Sequence, residues 1–283
     1  MEDNENWASD VTIGYPPLRH ILRDLRMSVE FQGDRCVGRV PIVPEVCTDR
    51  GGVQVGVLAT LVDTAGGALA IRNIYPDWLA TASLSVYMSE KTASGTLVAN
   101  GGIVREGRNV VVVEVDILEE NAAGDGRQTG SAVMTLVRLP RRQDAGMIAE
   151  ESAGGVTSRM PGTRLSASYL EMVRVRIVDP ASGALELEMH EYIRNSFGVL
   201  HGGIVALLGD QAGEQAARAV TGKPLTTRDL TVHYLSQGKV GPFRTRARVL
   251  RATPDTVLSR VEAVDAGAGD RLVCVAMNTA ALE

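Results

Sequence analysis

The 283-residue chain is 45% hydrophobic and 22% charged, a balance that supports one large or two ordinary packed domains and argues against disorder. Its formal net charge of −5, with no basic run interleaved with aromatics, argues against a nucleic-acid partner. The three cysteines, Cys36, Cys47 and Cys274, lack C-x-x-C spacing and companion histidines, so neither a disulfide framework nor a metal site organises the chain.

In chain order, residues 1–15 read as a flexible acidic start without the basic and apolar regions of a signal peptide. No apolar run approaches the ~20 residues needed to span a bilayer, so the expected location is the cytoplasm, with no membrane partner. Residues 16–25 predict a short helix with Pro at its opening turn. Residues 27–32 and 36–42 predict two strands around Gly33-Asp34. Residues 53–73 predict a helix, with Val57, Leu58, Leu61, Val62, Ala65, Leu69 and Ala70 at helical spacing. Its many Gly and Ala residues lower intrinsic propensity and point to a helix enclosed by close-packed neighbours. Strands follow at 80–89, 96–106, 109–120 and 127–138, separated by Gly-bearing turns.

Residues 140–162 are polar and rich in Gly and Pro, and read as a linker. The pattern then restarts. Strands are expected at 169–178 and 184–190, a helix at 201–220, and strands at 225–235, 243–252, 256–265 and 271–281. The repeat is visible in single residues. Gly56 and Asp63 recur as Gly203 and Asp210, each 147 positions later. The strand beginning Thr81-Ala-Ser-Leu-Ser-Val recurs as Thr227-Arg-Asp-Leu-Thr-Val. A period this long is a domain rather than a solenoid unit. The expected organisation is a first domain at 16–139, the linker at 140–162 and a second domain at 163–283, each an α+β unit of one long helix against a mainly antiparallel sheet.

The chemistry concentrates between Asn195 and Asp210. A loop carrying Asn195 and Gly198 leads to His201-Gly202-Gly203 and then an apolar helix holding one carboxylate. Unpaired N–H groups and the dipole at a helix N-terminus favour developing negative charge, and glycine lets a substrate approach the backbone. Two glycines also simply permit a tight turn, Asn195 is a common turn residue, and Thr81 needs no special explanation in a strand. Asp63 is harder to pass over. It is the only charged residue between Val53 and Ile71, and a carboxylate in so apolar a helix needs a partner or a function. His20, Cys36 and Cys274 attract no functional expectation.

The spacing N-x-x-G-x-x-H-G-G followed by an acidic residue nine positions after the histidine resembles the hotdog-fold acyl-CoA thioesterases of the phenylacetate-pathway and small acyl-CoA type. The resemblance covers the second half and, more loosely, residues 25–138. It implies two fused hotdog domains, a substrate of acyl-CoA with no separate cofactor, and further pairing of the fused chain into a homodimer. In that family one protomer gives the Asn, the His and the following Gly N–H, and the other gives the helical acid and a strand Ser or Thr. Carried across, one composite site joins Asn195, His201 and Gly202, with Gly203, to Asp63 and Thr81. The second would join Thr48, Gln54 and Val55 to Asp210 and Thr227, and departs from the pattern at every oxyanion-side position, so one working site per chain is expected. If sites formed within a half, Asp210 would replace Asp63. The residues leave open whether Asp63 is nucleophile or general base, and whether the chain hydrolyses acyl-CoA or only binds it as a regulatory protein. A hydratase-type site is not seen, and the fused-hotdog thioesterases with an Asp–Thr–Gln site lack this H-G-G loop.

Overall fold

The computed structural model describes residues 15–75, 77–139, 158–159 and 164–282. The expected flexible start before residue 15 and most of the expected linker lie outside the described residues.

Alternation decides which face each strand buries. In β5 (Val110–Glu120), Val111, Val113, Val115 and Ile117 are fully buried while Glu114 is exposed. Burying each such side chain contributes about 1.5–3 kcal/mol. The other strands of the first half are β1 (Ser28–Gln32), β2 (Arg35–Pro41), β3 (Trp78–Met88), β4 (Thr96–Glu106) and β6 (Gly126–Leu139), with a one-turn α1 (Ile21–Asp24) before them. A two-residue β7 (Ser158–Arg159) pairs with β1. The second half contributes α3 (Tyr169–Val173), β8 (Arg176–Asp179), β9 (Ala184–Leu187), β10 (Thr226–Tyr234), β11 (Phe243–Ala252), β12 (Thr256–Asp265) and β13 (Arg271–Ala281).

All strands join one 13-stranded sheet in the order β7-β1-β2-β4-β5-β6-β3-β10-β13-β12-β11-β9-β8. Every pairing is antiparallel. The two repeats meet at β3 and β10, related strands in the two copies, where Ser85 and Thr231 share a 3.0 Å hydroxyl–hydroxyl hydrogen bond. The α+β expectation therefore holds, with the addition that the two sheets are continuous.

Two 20-residue helices, α2 (Val55–Ile74) and α4 (Gly202–Thr221), lie against the inner face of this sheet and against each other. Small residues set their approach. A Cβ on Gly56 would lie 2.3 Å from Leu207 Cδ1, and one on Gly203 would lie 2.4 Å from Thr60 Cα. Since 56 with 203 and 60 with 207 are repeat-related pairs, the crossing is a pseudo-twofold contact. This crossing brings the start of each helix beside the middle of the other.

Two expectations are corrected. α2 is in fact long and apolar enough to span a membrane, with mean hydropathy 1.4, but 67% of that stretch is buried within the protein. Its apolarity is that of a helix enclosed on nearly all sides. Residues 169–178 are not one strand. Ser168 accepts from the Glu171 N–H at 3.3 Å, and Glu171 accepts from the Ser168 N–H at 3.0 Å. This capping box nucleates α3. Arg174, in the left-handed region at φ 66°, ends it before β8 begins.

Candidate active site

The loop 193–201 is shaped by its own polar groups. Asn195 Oδ1 accepts from Phe197 N–H (2.9 Å) and Val199 N–H (3.2 Å). Asn195 N–H donates to Val199 O at 2.7 Å, and His201 N–H to Ile193 O at 3.0 Å. Gly198 takes φ +73°, where side chains are disfavoured. The loop delivers His201 to the N-cap position of α4, where its Nδ1 accepts from the Gly203 N–H at 3.0 Å.

From the other helix, Asp63 arrives at the same place. Its Oδ2 lies 3.7 Å from His201 Nδ1. A Cβ placed on Gly202 would stand only 2.7 Å from that same oxygen. On the opposite side Thr81 Oγ1 donates to Asp63 Oδ1 at 2.9 Å. The structure thus brings together His201, Gly202, Gly203, Asp63 and Thr81. Asn195 sits on the same loop, but its carbonyl oxygen is committed to turn N–H groups, so its place here is in the loop scaffold.

Burial raises the Asp63 carboxyl from 3.8 to about 6, against the opposing pull of the Thr81 hydroxyl and the Gly203 N–H. Burial also pushes the His201 imidazole down to about 4, so it is neutral at pH 7. Because Nδ1 accepts from Gly203, the ring proton sits on Nε2, and the 3.7 Å approach to Asp63 is neither an ion pair nor a hydrogen bond. His201 Nδ1 is therefore engaged at the start of α4 and makes no hydrogen bond to Asp63. The Gly202 N–H has no acceptor among the described residues, which leaves a helix-terminal donor beside a carboxylate of raised pKa. That combination can polarise a carbonyl and deliver a nucleophile to its carbon.

The repeat-related place differs residue by residue. Asp210 is fully buried, and its Oδ2 accepts from the Gly56 N–H (3.1 Å) and from Gln211 Nε2 (3.2 Å). Gln54, where the other helix has His201, makes no capping bond. It turns its Nε2 to Cys47 O at 3.2 Å and leaves Oε1 without a partner. Thr48 Oγ1 accepts from Arg50 N–H at 3.3 Å, so it serves a turn. Val55 occupies the position of Gly202 and is buried. Thr227 Oγ1 accepts from Asn278 Nδ2 at 2.7 Å, and the Thr227 N–H donates to Glu214 Oε1 at 2.8 Å. Burial raises Asp210, and burial with the Asp210 charge raises Glu214 to about 8. Here Gln54 and Val55 stand where the other place has His201 and Gly202, while the carboxylate and its helix contact persist.

Three residues near Asp63 escape sequence reasoning. Tyr234 Oη donates to Gly202 O at 3.0 Å, and the Asp63 charge raises its pKa further beyond the effect of burial. Tyr15 is raised in the same way, first by burial and then by Asp63. His20 is pushed down to about 4, chiefly by burial, with the nearby His201 ring adding to the effect. Nothing local marks Tyr15 or His20, because their partners lie far along the chain. Tyr234 ends a strand that repeats the one carrying Thr81. Asn278, in the second place, did carry a signal: a polar side chain at an inward-facing position of β13, between Ala276 and Ala280.

Comparison with known proteins bears on the fold. Residues 197–274 match the Thioesterase superfamily. A candidate esterase of Halobacterium salinarum is 37% identical over 86 residues, 29% of this chain and 56% of that protein, so the match spans about half the relative's length. Among solved structures, a tesB protein of Mycobacterium avium subspecies paratuberculosis superposes with a TM-score of 0.64 at 13% identity, over 94% of this chain and 100% of the other. An acyl-ACP thioesterase from Bacteroides thetaiotaomicron gives 0.58 at 12%, over 87% and 98%. A conserved protein with hot dog fold from Alicyclobacillus acidocaldarius gives 0.59 at 12%, over 93% and 98%. At these identities the structural matches show the fold.

Proposed function

We propose that this chain, which has the hotdog fold and matches the Thioesterase superfamily over residues 197–274, is an acyl-CoA thioesterase with one composite active site formed between the two halves. The observation that carries this reading is the Gly202 N–H at the start of α4, without an acceptor among the described residues, beside a largely buried carboxylate from α2.

The thioester carbonyl oxygen accepts from Gly202 N–H, where the helix dipole stabilises the oxyanion as the carbon becomes tetrahedral. A donor of this kind is worth roughly 10²–10³ in rate. Asp63 then acts in one of two ways. As general base it takes a proton from water, whose oxygen attacks the carbonyl carbon. The C–S bond breaks on collapse, and the thiolate of CoA takes the proton back. As nucleophile it forms an acyl anhydride, releases the thiolate, and is regenerated when water attacks the anhydride. Thr81 fixes the carboxylate orientation, and neutral His201 holds the first turn of α4. Rapid-quench mass analysis of the peptide containing Asp63 during a single turnover separates the two, because only the nucleophilic route attaches the acyl group to the aspartate.

The deciding test is a hydrolysis screen of the purified chain over short, long and aromatic acyl-CoAs, with Asp63→Asn and Asp210→Asn alongside. The expected result is activity on at least one class, lost in Asp63→Asn and kept in Asp210→Asn. Binding of an acyl-CoA without hydrolysis would instead establish the non-catalytic regulatory reading. Loss in Asp210→Asn alone would move the site to the second place. Cytoplasmic location and a homodimer of the fused chain remain part of the proposal, the latter supported by exposed Tyr87 and Val133 on the outer face of β3 and β6.

A further inference from the structure

The segment carrying Tyr15 and His20 belongs to the first half, yet its polar groups end on the second half's loop. His20 caps α1, with Nδ1 accepting from the Leu22 N–H at 3.2 Å. That fixes its proton on Nε2, which lies 2.8 Å from the Arg194 carbonyl oxygen. Tyr15 Oη donates to the same oxygen at 3.1 Å, and its ring stands edge-on to His20 at 5.0 Å. Arg194 immediately precedes Asn195, and its backbone pairs with Leu200, immediately before His201. One carbonyl at the base of the loop thus takes two donors from the other half. The tip is held as well: Phe197 packs edge-on against Trp78 of β3 at 4.8 Å between ring centres. The anchoring segment is itself fixed, by Arg23 Nη2 donating to Pro16 O at 2.8 Å and Tyr192 Oη donating to Asp24 Oδ2 at 2.7 Å.

From this geometry we infer that His20, assisted by Tyr15, is a positioning residue of the active site: it clamps the Arg194 carbonyl and so fixes the second half's loop, with His201 and Gly202, against the half that supplies Asp63. The inference rests on the proposed thioesterase reading for its catalytic consequence, not for the clamp itself. The physical logic is that a base and an oxyanion donor on different domains work only if their separation is held, and displacement by about 1 Å costs up to about 10²-fold in rate. His20 is neutral at pH 7, so the clamp adds no charge beside Asp63.

The test uses the full chain and two readouts, amide hydrogen exchange at Asn195, Gly198 and His201, and steady-state kinetics on the best acyl-CoA. His20→Ala is expected to accelerate exchange at these amides about fivefold or more and to lower kcat about tenfold, with KM within about twofold. His20→Gln, whose side-chain amide can still donate to Arg194 O, is expected to recover most of both. Tyr15→Phe removes one of the two donors and keeps the ring packing, with an expected acceleration of about threefold. It keeps the inference testable if His20→Ala fails to fold. Unchanged exchange in His20→Ala, or in Tyr15→Phe where His20→Ala fails to fold, overturns the clamp, and faster exchange with unchanged kcat overturns the positioning role. If the wild-type chain hydrolyses no acyl-CoA, the thioesterase reading falls while the exchange measurement still decides whether His20 fixes the loop.

Discussion

Replacing Asp63 by Asn removes the reacting group and is also expected to make the protein more stable. The carboxyl titrates near 6 in the fold against 3.8 for an ordinary aspartate, with burial as the leading cause. Between those two values the folded chain holds a proton that the unfolded chain has released, so stability falls as pH rises through the window. Above about pH 6 the cost is present in full. A gap of about two pH units corresponds to about 3 kcal/mol at 1.36 kcal/mol per unit. The side chain keeps 12% of its surface, so about 2–3 kcal/mol is the reasonable expectation. The amide carries no charge to desolvate and still offers Thr81 a partner. Urea unfolding of Asp63→Asn at pH 8 should therefore show a gain of about 2–3 kcal/mol, or about 5 °C in Tm. The gain should shrink towards pH 4 and vanish below about pH 3, where wild type is protonated in both states. A thiol-release assay at pH 8 should show kcat/KM down about 10²–10⁴-fold. In wild type the same parameter should fall below about pH 6. A variant equally destabilised at pH 4 and pH 8 would refute the burial argument, and one keeping more than a tenth of the wild-type rate would refute the role of Asp63.

Thr81→Val removes a hydrogen bond that favours the charged carboxylate, so the acid limb of the pH–rate profile should move to higher pH; an unmoved limb would mean Thr81 does not hold Asp63. Gly202→Ala would place a methyl group 2.7 Å from Asp63 Oδ2. It should cost at least about 10² in kcat while the fold persists by circular dichroism. Asp210→Asn should keep hydrolysis within about twofold and raise stability at pH 8 more than at pH 4, because this buried carboxylate is also held above its ordinary value.

Much of this was readable before any coordinates. The strands at 96–106, 243–252, 256–265 and 271–281 coincide with β4, β11, β12 and β13, because alternation and Gly-marked turns act locally. The repeat aligned Asp63 with Asp210, and the loop spacing located His201 and Gly202 at a helix start. The failure at 169–178 was also local: Ser168-x-x-Glu171 is a helix-start signature that outweighed the β-branched residues after it. What sequence could not supply was the far side of each contact. His20 meets Arg194, Trp78 meets Phe197 and Thr227 meets Asn278 only after the chain has closed on itself. Asn195 shows the opposite limit, since a motif position can be filled by a residue whose carbonyl oxygen is already used to shape the loop.

The seam between β3 and β10 has a consequence for how such a protein changes over generations. When two identical subunits assemble, every substitution is inherited by both sites at once, and the partners separate on dilution. Joining the copies in one polypeptide removes both constraints. The partner is always present at the high effective concentration of a tethered neighbour. Each copy can then drift alone. Here the position of Gly202 is Val55 in the sister copy and that of His201 is Gln54, while the Asp210 to Gly56 contact ties one helix to the other. On the proposed reading one half can then serve as scaffold for the other's chemistry.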